Sequence, residues 1–233
     1  MSDALTPIEA WEAAYLRFET PEQEIRKFTK RLHGVGADAW PRDAQVLELF
    51  CGRGNGLVAL ERLGFTELQG VDLSPRLVRL YRGRGRCSAG DCRSLPLRSG
   101  SQDVAIVQGG LHHLPDVKAD LPIVIREVQR VLKPDGLFVA VEPWLTPFLR
   151  VAHAACASPA RRLWDRLDAL ATMIQYERDT YFRWLENPEF IRTQLTAAFD
   201  TQARQERWGK LVFAGRNYDA AKSRMSVLPP GSM

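Results

Sequence analysis

The chain is poor in sulfur and in histidine: four cysteines and four histidines among 233 residues. Cys51, Cys87, Cys92 and Cys156 form no Cys-x-x-Cys pair, and no Cys/His array has zinc spacing, so no bound metal is expected. Cys87 and Cys92 flank an expected strand and are the two thiols placed to approach each other. Reduced thiols in a cytoplasmic protein are the expectation. No stretch approaches the roughly 20 apolar residues of a membrane helix, so no membrane span is expected. The first segment carries Glu9, Glu12, Arg17 and Glu19 and lacks the unbroken apolar run of a secretory leader. A dominant charge is missing too, since 32 Lys and Arg against 28 Asp and Glu leave a net +4. A nucleic-acid partner needs a clustered basic patch rather than a mildly basic sum. Arg76, Arg79, Arg82, Arg84 and Arg86 do cluster, but a solvated helix face explains them more simply.

The chain is long enough to bury a core without disulfides, and its 45% hydrophobic and 26% charged residues are ordinary for a globular domain. Residues 7–32 read as helix, with Ile8, Trp11, Ala14, Tyr15 and Phe18 on one stripe. Thr20-Pro21-Glu22 reads as a cap opening a second helix through Phe28. Short apolar runs then alternate with helical segments. Strands are expected at 46–50, 68–71, 87–89, 103–107 and 137–141. Helices are expected at 57–63, from Ser74-Pro75 to about Tyr81, and at 121–132, and a turn at Lys133-Pro134-Asp135-Gly136. This rhythm implies a parallel sheet with helices on both faces. From Trp144 to about Phe199 the alternation stops, giving way to two or three helices broken at Pro147, Pro159 and Pro188. A strand pair at 201–206 and 210–214, turning at Trp208-Gly209, closes the sequence, and the tail from Val227 is expected to fray.

The chemistry is concentrated where the first strand meets Cys51-Gly52-Arg53-Gly54-Asn55-Gly56. A strand running into glycines that open a helix lets a ligand approach bare backbone. Gly52, Gly54 and Gly56 alternate, which fits the dinucleotide pattern Gly-x-Gly-x-x-Gly poorly. Glu48 stands near the strand end. Asp72 ends the second strand, where a carboxylate can accept the hydroxyl hydrogens of a ribose. Gly90-Asp91-Cys92 follows the third strand, Gln108-Gly109-Gly110-Leu111-His112-His113-Leu114 the fourth, and Glu142-Pro143-Trp144 the fifth.

Taken together and in this order, these segments over residues 45–142 resemble the class I S-adenosylmethionine (SAM)-dependent methyltransferases. They are most similar to the small-molecule group that includes quinone-biosynthesis enzymes (methyltransferase type 11). The resemblance implies a doubly wound, seven-stranded, mostly parallel α/β sheet, Rossmann-like, with a helical insertion before the last two strands. It divides the chain into N-terminal helices covering the cofactor site (1–40), a SAM-binding core (41–143), a helical lid or acceptor insertion (144–199) and a closing strand pair (200–226). It implies that Glu48, Phe50, Gly52, Gly54, Asp72, Leu73, Asp91, Cys92, Gln108 and Gly109 hold SAM and its product S-adenosylhomocysteine. Gly52, Gly54 and Gly56 would pass beneath the methionine and ribose, Asp72 would grip the ribose, Asp91 with Cys92 the adenine, and Gln108 the methionyl end. One departure stands out. The family usually has glycine where Phe50 stands, and Phe50 is not expected to hold a positive φ cheaply.

Methyl transfer needs alignment more than acid–base chemistry, because the sulfonium is already activated. His112, His113 and Glu142 are the candidate bases if the acceptor must lose a proton. Simple shaping of the loop is the competing reading of the histidines. Acceptor contacts are expected from Tyr15, Arg17 and Phe18, and from Tyr176, Glu177, Arg178, Tyr181 and Trp184. A small-molecule acceptor is the leading expectation. An RNA or protein acceptor, or a non-catalytic SAM-binding protein, is the alternative. The Leu-Phe-Cys-Gly wording also resembles RNA uracil methyltransferases, but Gln108-Gly109-Gly110 stands where those enzymes carry Asp-Pro-Pro. An NAD-dependent oxidoreductase fails on the glycine spacing. The sequence does not set the oligomeric state.

Overall fold

The computed structural model describes residues 19–158 and 165–218. Seven strands lie in one sheet: β1 (Val46–Leu49), β2 (Leu68–Asp72), β3 (Arg86–Ala89), β4 (Gln102–Gln108), β5 (Leu132–Pro143), β6 (Phe199–Arg207) and β7 (Lys210–Asn217). Their order is β3-β2-β1-β4-β5-β7-β6. The pairs among β1 to β5 are parallel, and β7 runs antiparallel to both β5 and β6. The order reverses between β1 and β4, so the crevice for a ligand lies beyond the carboxyl ends of those two strands.

Apolar residues alternate between the faces, as the two-residue period of a strand requires. Leu47, Leu49, Ala105, Val107, Phe138 and Ala140 pack on one face, with Leu121, Val124, Trp184 and Ile191. Val46, Val104, Ile106, Val139 and Val141 pack on the other, with Ile25, Leu32, Leu57 and Leu60. The helices that supply these partners are α1 (Pro21–Gly34), α2 (Asn55–Arg62), α4 (Val117–Val131), α7 (Arg178–Glu186) and α8 (Pro188–Ala198). The short α3 (Pro75–Val78) follows β2, and α5 (Pro147–Ala157) and α6 (Asp165–Tyr176) stand between β5 and α7.

The expected cap of α1 is present as a full capping box. The Thr20 hydroxyl accepts from the Gln23 backbone, and the Gln23 side chain accepts from the Thr20 backbone. Pro147 and Pro188 do not break helices but open them, at positions where a missing N–H is harmless. Pro159 and the stripe from Ile8 to Phe18 lie outside the described residues, as does the tail from Val227. The insertion holds four described helices rather than two or three.

Other expectations need correcting. The helix after Ser74 ends at Val78, not near Tyr81. Tyr81 instead turns away from helix and gives its hydroxyl to Glu61 at 2.5 Å. Lys133–Gly136 is not a separating turn but an irregularity within β5. Its register against β4 jumps from Gln102↔Leu132 to Val104↔Leu137, with Asp135 at φ 60°. The thiol that meets Cys87 is Cys51, with the sulfurs 3.2 Å apart, and not Cys92. Adjacent parallel strands set Cys51, just past β1, beside β3 across the small Gly70 of β2.

Candidate functional site

A cavity of about 970 Å³ opens at the carboxyl edge of the sheet. It lies near the top of the roughly 300–1,000 Å³ range of small-ligand sites. Expected residues Glu48, Phe50, Gly52, Asp72, Leu73, Asp91, Cys92, Gln108 and Gly109 line it, as do His112, His113 and Glu142. Gly54 and Gly56 do not. Gly54 sits at φ 78° at the start of α2, where a Cβ would stand 2.3 Å from the Tyr81 ring. A Cβ on Gly56 would stand 1.9 Å from the Glu48 carboxylate. These two glycines serve close packing behind the turn rather than its exposed surface.

Phe50 takes φ 55°, the left-handed region that a non-glycine residue holds only at a cost. Its ring fills space left by Gly110, where a Cβ would lie 2.3 Å from the Phe50 Cγ. Packing against that bare backbone and the core offsets a conformational cost of about 1–2 kcal/mol.

The glycine turn is fastened from both sides. Asp72 accepts from the Gly52 N–H at 2.7 Å and the Ser74 N–H at 2.8 Å. From α1, buried Glu24 accepts from Arg53 Nε at 3.1 Å and Nη2 at 2.9 Å, and from Asn55 Nδ2 at 2.7 Å. Glu24 and Arg53 are 3% and 7% exposed, so neither carries a solvated charge. Sequence reasoning missed Glu24, because a helix carrying several charges reads as a solvated face.

Four buried polar atoms of cavity-lining residues have no hydrogen-bond partner: Glu177 Oε1, and on the side of the glycine turn Glu48 Oε2, Gln108 Oε1 and Arg31 Nε. Gln108 Nε2 donates to the other Glu48 oxygen at 3.1 Å. Burial pushes the Glu48 carboxyl up to about 8, with the Glu24 charge adding to it. Burial also lowers the pKa of Arg31, against the pull of Glu19, Glu142, Glu24 and Glu48. Orphaned buried polar atoms at a cavity wall call for a ligand of matching polarity. The two acceptors on Glu48 and Gln108 and the cationic donor Arg31 match the ammonium and carboxylate of an α-amino acid. Arg31 was also missed in the sequence, where Arg17 drew attention; Arg17, Tyr15 and Phe18 lie outside the described residues.

Asp91 is engaged by its neighbour. The Arg93 guanidinium holds both its oxygens, at 2.7 Å for the shortest contact, and reaches Asp120 at 3.0 Å. Arg93 thereby keeps the Asp91 carboxyl below its usual range. Leu73, 72% exposed, presents an apolar side chain at the cavity lip between Asp72 and Ser74.

Deeper in, Glu142 accepts from the Gly110 and Leu111 N–H groups, each at 2.8 Å, and pairs with His112 Nδ1 at 2.8 Å. Burial opposes ionisation of Glu142, but His112 and the two N–H groups outweigh it and lower its pKa. For His112, burial likewise opposes the charge, and Glu142 with Glu177 overcomes it, raising the pKa to about 9. His113 is pulled down to about 4 by burial and by His112 beside it. The opposite wall comes from α6 and its junction with α7: Leu170, Met173, Ile174, Tyr176, Glu177 and Tyr181. Of the residues expected there, Trp184 instead lies fully buried and donates to the Pro143 carbonyl, and Arg178 is not part of the lining.

Residues 47–140 match a family described as methyltransferase domain. The strand order and the glycine turn are similar to those of class I SAM-dependent methyltransferases. Among curated relatives, a "probable phthiotriol/phenolphthiotriol dimycocerosates methyltransferase 2" of Mycobacterium ulcerans is 28% identical over 154 residues, covering 64% of this chain and 57% of that protein. A demethylmenaquinone methyltransferase of Staphylococcus aureus is 30% identical over 108 residues, 42% of each chain. The chain thus spans about half the length of the curated relatives it matches. A solved SAM-dependent methyltransferase of Methanosarcina mazei shares the fold, with a TM-score of 0.58 at 19% identity over 79% of this chain and 97% of that one. Among the described residues, no helix is long and apolar enough to cross a membrane.

Proposed function

We propose that the chain transfers a methyl group from SAM to a small-molecule acceptor held in the same cavity. The observation that carries this is the trio of unpartnered atoms, Glu48 Oε2, Gln108 Oε1 and Arg31 Nε, beside a glycine turn fastened by Asp72. In this reading Glu48 and Gln108 take the ammonium of the methionyl end and Arg31 its carboxylate. Asp72 takes the ribose hydroxyls, Phe50, Gly52 and Gly109 pass along the bound molecule, and Leu73 and Cys92 flank the adenine. Asp91, already held by Arg93, sets the shape of the adenine pocket. SAM supplies a methyl group on a sulfonium, which leaves as a neutral thioether.

The protein's own part is to align and to exclude water. α1 covers one end of the site, and α6 with α7 forms the acceptor wall. That wall mixes Leu170, Met173 and Ile174 with Tyr176 and Tyr181, which suits an apolar or aromatic molecule with a polar end. Glu142 acts as a positioning residue, because its carboxylate is occupied by three donors. His113, kept neutral by burial and by His112, presents an uncharged imidazole to the cavity.

Calorimetry with S-adenosylhomocysteine tests the cofactor half: micromolar binding is expected, and no heat on folded protein overturns it. Asp72→Ala should weaken that binding at least about tenfold by stranding polar groups. For the acceptor half, purified protein and SAM are added to a cell extract and the methylated product is found by mass spectrometry. A methylated RNA or protein instead of a small molecule would overturn that half. Protection of residues 144–190 from proteolysis by the product is expected of a lid; equal cleavage with and without it argues against one.

A further inference from the structure

We propose that His112, His113 and Glu177 form a binding site for a divalent transition-metal ion inside the cavity. The two histidines follow β4 in a short 3-10 turn, and Glu177 lies at the junction of α6 and α7. Each offers one ligand atom, and the three atoms lie within 4.8 Å of one another.

The spacing suits a shared ion better than it suits direct contacts. His112 Nε2 stands 3.7 Å from Glu177 Oε2, and His113 Nδ1 stands 3.5 Å from Glu177 Oε1. These distances are long for hydrogen bonds. They are somewhat longer than the roughly 3.4 Å edge of a tetrahedron drawn around an ion with bonds of roughly 2.0–2.1 Å, and they run to the two oxygens of one carboxylate, so the three side chains would close slightly about the ion. Glu177 Oε1 is buried and has no hydrogen-bond partner.

Glu142 supplies what such a site needs behind it. Its carboxylate, fixed by the Gly110 and Leu111 N–H groups, takes the His112 Nδ1–H and so leaves Nε2 as the free ligand atom. A carboxylate behind a ligating imidazole fixes its tautomer and its direction. Two imidazoles and one carboxylate favour a borderline ion such as Zn²⁺ or Fe²⁺ over Mg²⁺. With three protein ligands, the remaining position faces the cavity, as in catalytic rather than structural sites.

That open position fits an oxygen donor on the acceptor, a step that rests on the methyl-transfer reading above. A hydroxyl bound there loses its proton to solvent more easily. Its oxygen then forms the new bond to carbon as the sulfur–methyl bond breaks and the sulfonium becomes a neutral thioether.

Cobalt(II) is the probe, added to the full-length chain after dialysis against a chelator. Visible d–d absorption saturating at one equivalent, and reversed by Zn²⁺, is expected. His113→Ala and Glu177→Ala should each weaken it at least about tenfold, with circular dichroism confirming that both variants fold. If Glu177→Ala fails to fold, His113→Ala and the milder Glu177→Gln carry the test. No cobalt band in a chain that binds S-adenosylhomocysteine overturns the metal site and leaves the methyl-transfer reading intact. A band indifferent to both substitutions overturns it as well. Cobalt binding without S-adenosylhomocysteine binding supports the metal site and overturns the methyl-transfer reading instead.

Discussion

The ring of Phe50 occupies the space that a side chain at Gly110 would need, the would-be Cβ falling 2.3 Å from Phe50 Cγ. The glycine is required by a contact and not by its own backbone, since its φ is −144°. Gly110→Ala should therefore cost about 1–3 kcal/mol through overpacking. Phe50→Gly gives up packing but relieves a left-handed φ of 55°. In urea denaturation the double variant should be less destabilised than the two single losses combined. Strict additivity would mean that the two positions do not share this space.

Glu24 is the point where α1 holds the glycine turn. Glu24→Ala leaves the Arg53 guanidinium buried without its counter-charge, a loss of about 3–5 kcal/mol. Glu24→Gln keeps one acceptor and should fall between. Chemical denaturation measures both, and a loss under about 1 kcal/mol for the alanine variant would count against the clamp.

Arg31 can be separated from the adenosine part of the site by choice of ligand. Arg31→Met should weaken S-adenosylhomocysteine at least about tenfold through loss of a charge-assisted hydrogen bond. It should leave 5′-methylthioadenosine, which lacks the amino-acid end, nearly unchanged. Equal weakening of both ligands would place Arg31 elsewhere in the binding.

Glu48 gives a pH signature. Its folded carboxyl titrates at about 8 against an ordinary 4.5. A carboxyl with a raised folded pKa keeps a proton that the unfolded chain releases. Its contribution to stability is therefore best below about 4.5 and is lost as pH rises through about 8. Between pH 5 and 8 the ligand-free protein should lose melting temperature more steeply than Glu48→Gln does. An ammonium beside Glu48 favours the ionised form, so ligand binding at pH 7 should release a proton. The measured heat of binding then differs between phosphate and Tris buffers in the wild type, and not in Glu48→Gln.

Much of this was legible in the residues because it is local. A strand period, a glycine run and a carboxylate at a strand end are written within a few positions, so β1, the turn, Asp72 and Gln108 can be placed from the residues alone. Contacts distant in sequence were not legible. Glu177 meets His112 and His113 only because α6 folds back over the sheet edge. Cys51 meets Cys87 only because β1, β2 and β3 lie side by side in register. Glu24 and Arg31 look like solvent-facing charges on a helix until α1 is docked against α2. Phe50 misled for another reason. Backbone preference argued against a positive φ, and packing against a partner without a side chain overrode it.

The cavity draws its walls from separate stretches of chain. The proposed donor side is drawn from α1 and the loops after β1, β2 and β4, and the facing side largely from residues 170–181. On the reading proposed above, changes in that second stretch alter which acceptor is recognised and leave the donor side untouched. One scaffold can thus be retuned to new acceptors without being rebuilt.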